Sequence, residues 1–163
     1  LHAFCTREYL EGAVLPQLVA GLSHAGKARE AFQISGGGFV CTGPDDESVM
    51  AMMDWVRYRI GFYGSTKAYW PVLAQHDLLD LGEELNYLSK NDGWGEMASR
   101  ISDDVVRQFA AVGRHDEIVT AIEERFGGLT DAIGASASPE LPADLPQGVI
   151  EDIQGIPTLY EAP

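Results

Sequence analysis

The segment from Tyr9 to Trp70 constrains the fold more than any other part of the chain. A helical pattern closes at Ala25-Gly26, and a short apolar, glycine-rich strand candidate follows. A turn at Gly43-Pro44 then leads into a second helix. Helix–strand–helix is the unit that repeats around a parallel sheet or barrel. It is not a finished fold, because a lone strand has unpaired N–H and C=O groups along both edges and must join a larger sheet.

Local chemistry supports each piece. Thr6 is a candidate N-cap for a helix whose apolar stripe is Leu10, Val14, Leu15, Leu18, Val19 and Leu22, and Pro16 inside it should kink or restart the helix. Residues 32–42 (FQISGGGFVCT) are strand-like. The three consecutive glycines weaken a strand, so they mark tight packing against a helix or the close approach of a ligand. Asp45 or Asp46 can cap the next helix, with Val49, Met52, Met53, Val56 and Ile60 as its buried face.

Beyond Phe62–Trp70 come a short helix to His76, a stretch from Leu78 to Leu88, and a turn at Asn91-Asp92-Gly93. One helix is then expected from Trp94 towards Phe109, on the spacing of Met97, Ile101, Val105 and Phe109. This helical excursion is long for a barrel connection. Asp116 to Arg125 reads as a further helix, residues 129–136 (LTDAIGAS) as the next strand, 136–146 as a loop, and Gln147 to Gln154 as a terminal helix.

At 163 residues the chain suffices for one domain spanning 1–163. A net charge of −14 argues against nucleic acid and anionic membrane surfaces as partners. Cys5 and Cys41 form no CxxC pair, so a disulfide framework is not expected and the cytoplasm is the expected compartment. The chain begins at Leu1 without methionine, which suggests a fragment. His24, His76 and His115 lack ligand spacing, so no metal site is expected.

The strings REYLEGAVLPQLVAGLSHAGK, FQISGGGFVCTGPDDE, IGFYGSTKAYWPVL and AAVGRHDEIVTAIEERFGGLTDAIG, with the ending DIQGIPTLYE, resemble the C-terminal half of the bacterial luciferase-like monooxygenase superfamily. The branch they most resemble uses the deazaflavin coenzyme F(420). This resemblance implies an α/β fold, namely the C-terminal part of a (β/α)8 TIM barrel covering about strands six to eight. On that template LHAF is the tail of strand six, residues 32–42 are strand seven and 129–136 strand eight. Strands one to five would then be missing, and three strands cannot close a barrel. Their edges would have to pair with the missing N-terminal half or with a second copy in a homo-oligomer.

The implied function is a flavin- or deazaflavin-dependent oxidoreductase or monooxygenase acting on a small molecule, with F(420) or FMN as cofactor. The alternative is a catalytically inactive remnant that survives by oligomerising. Barrel active sites lie at the carboxyl ends of the strands. On the template that rule selects His2 as a proton-shuttling catalytic residue, and Phe4, Arg7, Thr42 and Gly43 as cofactor contacts. The joint with Phe62, Tyr63, Ser65 and Tyr69 offers an apolar wall with polar handles for a tricyclic ring.

Overall fold

The computed structural model describes residues 1–134 and 145–161. The chain opens with a helical run. Thr6 caps α1 (Arg7–Tyr9) by accepting the Tyr9 N–H at 3.3 Å, a π-helical turn follows at Leu10–Val14, and α2 occupies Leu15–His24. The wide turn precedes Pro16, which sits in the first turn of α2 where its missing N–H removes no helical bond. Proline thus restarts the helix without breaking its course. Gly26, at φ +65°, ends it, with the Lys27 N–H returning to the Leu22 carbonyl.

Two short parallel strands form the sheet among the described residues, β1 (Phe39–Cys41) and β2 (Ala110–Val112), in register Phe39 with Ala110. Between them run α3 (Asp46–Gly64), α4 (Trp70–Ala74), α5 (Leu79–Lys90), a 3₁₀ segment at Trp94–Arg100, and α6 (Asp103–Phe109). After β2 come α7 (Ile118–Phe126) and α8 (Gln147–Gln154). Asp45 caps α3 as expected, accepting the Ser48 N–H at 2.8 Å. The predicted face of α3 (Val49, Met52, Met53, Val56 and Ile60) is buried in the main core with Phe4, Phe39, Leu73, Leu85, Met97 and Phe109.

Three expectations about strands need correction. Residues 1–6 hold no strand, so the tail of strand six is absent here. The strand expected over 32–42 narrows to Phe39–Cys41, because Gly36 and Gly37 take φ of +90° and +102° and interrupt the extended backbone. The second strand is Ala110–Val112 rather than 129–136. Leu129 and Thr130 turn back to the Phe126 carbonyl, and Ala132 makes one parallel bridge to Ser35. The outermost part of that expected strand and nearly all of the 136–146 loop lie outside the described residues.

The helix expected from Trp94 to Phe109 is also two elements. Ser102 breaks it and caps α6 by accepting the Val105 N–H at 3.3 Å.

The glycine run admits protein and not ligand. A Cβ on Gly36 would lie 2.6 Å from the Leu1 carbonyl oxygen, and one on Gly38 would lie 2.8 Å from the Phe126 ring. Arg125, 7% exposed, donates to the carbonyls of Cys5 and Gly37 and ties the amino-terminal segment to α7.

Candidate functional site

The residues singled out from sequence separate to opposite ends of the sheet. His2, Phe4, Phe62, Tyr63 and Tyr69 form one aromatic nest. His2 stacks on Tyr69 at 4.9 Å and meets Tyr63 edge-on at 4.7 Å, and Phe62 lies 5.3 Å from Tyr63. Phe4 stacks at 4.5 Å on Phe109, the residue immediately before β2. The Leu1 ammonium donates to the Ser35 carbonyl, ahead of β1. The nest therefore sits at the amino ends of both strands, away from the end that the barrel rule favours.

Electrostatics in the nest favour the neutral form of His2. Its Nδ1 accepts the Phe4 N–H at 3.0 Å, which leaves the proton on Nε2, 3.4 Å from the Tyr69 hydroxyl. Burial, then the Arg59 guanidinium and the N-terminal ammonium, push its pKa below the usual histidine value. Arg59 lies over the Tyr63 ring at 5.0 Å and bonds its hydroxyl. A neutral imidazole among phenols can pass a proton or stack a planar ring. In this arrangement it stacks on Tyr69.

Arg7 and Ser65 lie elsewhere and are engaged. The Arg7 Nη1 donates to the Glu124 carbonyl at 2.8 Å, capping the end of α7, while its Nε pairs with Glu11 at 3.0 Å. The Ser65 hydroxyl donates to the Phe62 carbonyl at 2.8 Å, and its own carbonyl accepts from Asn86.

Thr42 and Gly43 occupy the carboxyl ends, where the two strand-to-helix loops meet. The Gly113 N–H donates to the Cys41 carbonyl at 3.1 Å and the His115 N–H to the Gly43 carbonyl at 3.0 Å. Gly43 is required there, since a Cβ would collide with the Ser48 side chain at the start of α3. Thr42 is 7% exposed and its hydroxyl has no partner among the described residues. An open cavity of about 490 Å3 lies alongside, lined by Pro44, Asp45, Asp46, Arg114, His115 and Asp116.

Sequence reasoning missed Arg114 and His115 because it placed no strand between the helix ending at Phe109 and the one starting at Asp116. The available signal was the short apolar run Phe109–Val112 closed by Gly113 ahead of a new helix start. Arg114 already faces Glu117, Asp116 and Asp46, which together raise its pKa. Among the described residues no group of three or more His, Cys, Asp or Glu is placed to hold a metal ion, and no helix is long and apolar enough to cross a membrane.

Comparison with known proteins decides the family. Residues 1–131 match the luciferase-like monooxygenase family. The chain belongs to that family. Uncharacterized proteins of Mycobacterium bovis and of two strains of Mycobacterium tuberculosis are each 39% identical over 132 residues, covering 81% of this chain and 39% of the relative. The luciferase-like chain thus spans about two fifths of the length of the curated relatives it matches. Luciferase-like proteins form a flavin-type oxidoreductase family that uses flavin or deazaflavin cofactors, and the parallel strands wrapped by helices accord with an α/β fold of that kind.

Proposed function

We propose that this chain forms the C-terminal part of a luciferase-like barrel, with β1 and β2 as its last two strands. The barrel would be completed by a front half, and the whole would transfer hydride or oxygen equivalents between a flavin or deazaflavin and a small organic molecule. The F(420) branch is the favoured one. The carrying observation is the pair of adjacent loops at the carboxyl ends, bonded from Gly113 to Cys41 and from His115 to Gly43, where a parallel barrel assembles its site. In this reading the unpartnered Thr42 hydroxyl offers a hydrogen bond to the ring system. His2, Phe4, Tyr63 and Tyr69 line the opposite end and support the core.

The described residues alone do not fit the cofactor's phosphate. Asp45, Asp46 and Asp116 crowd the rim and Arg114 is already matched by carboxylates, so an anion is repelled there. Basic groups for the phosphate would come from the completing half. Cys5 and Cys41 are both buried free thiols, consistent with a reducing, cytoplasmic setting.

The test is a fluorescence-quench titration with F(420) and with FMN. The chain is co-expressed with the portion of the Mycobacterium tuberculosis relative that lies outside the 132 matched residues. The complemented protein is expected to bind one of the two cofactors in the micromolar range and the chain alone to bind neither. Failure of the complemented protein to bind either overturns the reading.

A second reading, an oligomerising remnant without activity, is favoured by one observation. The α2 stripe that should be buried is only partly covered, with Val19 54% exposed. Light scattering on the chain alone discriminates, because a stable homo-oligomer that binds no cofactor even when complemented supports this second reading.

A further inference from the structure

Val40 of β1 and Ala111 of β2 belong to a second apolar cluster, built with Ile118, Ile122 and Phe126 of α7. α8 adds Val149 and Ile153 to it, and Ile156 follows, yet none of the residues of α8 is fully buried. An amphipathic helix that reaches a core without burying a side chain leaves space beneath it. An open cavity of about 420 Å3 lies there, between α8, the second half of α7 and the turn at 130–133. Ile122, Phe126, Ile133, Ile153 and Ile156 make its walls.

One polar group is set among these side chains. Thr130 lines the cavity and is 7% exposed, and its hydroxyl is buried with no partner among the described residues. The acceptors beside it in the chain are engaged. The Phe126 carbonyl takes the N–H groups of Leu129 and Thr130, while the Asp131 carboxylate takes Arg29 and the N–H groups of Ile34, Leu159 and Tyr160. A water held at the hydroxyl would need further polar partners, which aliphatic walls do not supply. A lone buried hydroxyl in an apolar cavity instead suits a ligand with one hydrogen-bond acceptor.

The lining also sets the ligand's charge. Among the described residues it contains no lysine, arginine or histidine, so an anion would give up its hydration without a counterion. Asp131 is already paired with Arg29 at 2.8 Å, so a cation finds no free charge either. Size follows from volume: at about 30 Å3 for each water-sized unit, the cavity admits roughly ten to fourteen heavy atoms.

We propose that the cavity between α7 and α8 binds a small neutral aliphatic ester or amide, with the Thr130 hydroxyl donating to its carbonyl oxygen and the isoleucines enclosing its chain. The site shares no lining residue with the cavity beside Thr42 and Gly43, and it does not rest on the oxidoreductase reading.

The probe is ethyl butyrate, titrated into the purified chain while the isotope-labelled isoleucine methyls are followed by nuclear magnetic resonance. Saturable shifts are expected at Ile122, Ile133, Ile153 and Ile156, and none at Ile60 or Ile101, which lie in the main core. Half-saturation should fall in the millimolar range, as suits so small a ligand. Sodium butyrate, the same acyl chain as an anion, should bind at least about tenfold more weakly. Thr130→Val keeps the shape and removes the donor, and should weaken the ester about fivefold to tenfold. Should that variant fold poorly, Ile153→Trp on the half-buried side of α8 fills the cavity and should abolish the shifts at Ile122 and Ile133.

Shifts that fail to saturate, or that spread equally to Ile60 and Ile101, overturn the proposal in favour of non-specific partitioning. Unchanged affinity in a folded Thr130→Val or in Ile153→Trp overturns it as well, as does butyrate binding as tightly as the ester.

Discussion

Asp131 shows how much of the molecule one carboxylate can join. Its side chain is 1% exposed and accepts from both directions. The Arg29 Nη2 reaches its two oxygens at 3.0 and 2.8 Å, the Ile34 N–H at 2.7 Å, and the N–H groups of Leu159 and Tyr160 at 3.1 Å each. Burial by itself would raise the Asp131 pKa, but the Ile34 N–H and the Arg29 guanidinium outweigh it and hold the carboxyl below its usual range. A depressed carboxyl stabilises the fold above its unfolded pKa of about 3.9, and that stability is lost as pH falls through the lower folded value. Asp131→Ala leaves the Arg29 Nη2 and three amides without an acceptor and should cost about 3 kcal/mol in urea unfolding at pH 7. The gap between variant and parent should close as the titration proceeds below pH ~4. His2 carries the same sign for a different reason. Its pKa is lowered in the fold, so acidification through that lowered value charges it against Arg59 and should loosen the nest. Near-ultraviolet circular dichroism of the tyrosines should therefore fall as pH drops below about 6.5 through the lowered folded value, and the fall should be shallower in His2→Gln.

Elements were legible in the sequence where a local signal was unopposed. Asp45 ahead of Val49, Met52 and Met53 gives both a cap and a stripe, and α3 forms with that face buried. The terminal helix likewise occupies Gln147–Gln154 as expected. Signals failed where two periodicities overlapped. Met97, Ile101, Val105 and Phe109 keep helical spacing across a break, because the 3₁₀ segment and α6 both press their apolar sides into one core. The serine that separates them was the better guide. Ser102→Ala should cost about 1 kcal/mol, measured as a lower midpoint of chemical unfolding, since the Val105 N–H loses its acceptor. Ile60, fully buried in the middle of the core, sets the contrasting scale. Ile60→Ala should cost about 3 kcal/mol in the same assay, through lost burial and the cavity left behind. For the candidate site, Thr42 and Gly43 were found by placing a strand end. The nest was found as a composition of aromatics, whose position at the amino ends no spacing rule encodes. Arg114, His115 and Arg125 escaped because their roles follow from pairing β1 with β2 across the whole of α3 to α6.

Charge acts on the molecule as a whole. The sequence holds 25 acidic and 11 basic side chains, for a net −14. Arginines concentrate the compensation: Arg57 joins Asp54 to Asp103, Arg100 joins Glu84 to Glu96, and Arg114 faces three acids. These pairs are partly exposed, so each contributes about 0–1 kcal/mol and salt weakens it further. Repulsion among the unmatched acids is spread over the surface and is screened by the same salt. The two effects oppose each other, and the number of unmatched acids decides the sign. Thermal unfolding should therefore rise by a few degrees as sodium chloride is increased from about 0.01 M to 0.15 M, where the screening length contracts from about 30 Å to 8 Å. A melting temperature that falls over this range would mean that the arginine networks dominate. The same repulsion bears on assembly, because a second copy brings another −14 while a less acidic partner does not. Sedimentation at low salt is accordingly expected to show the chain alone dissociating further as ionic strength drops. Tighter self-association at low salt would show that pairing between copies rests on opposite charges.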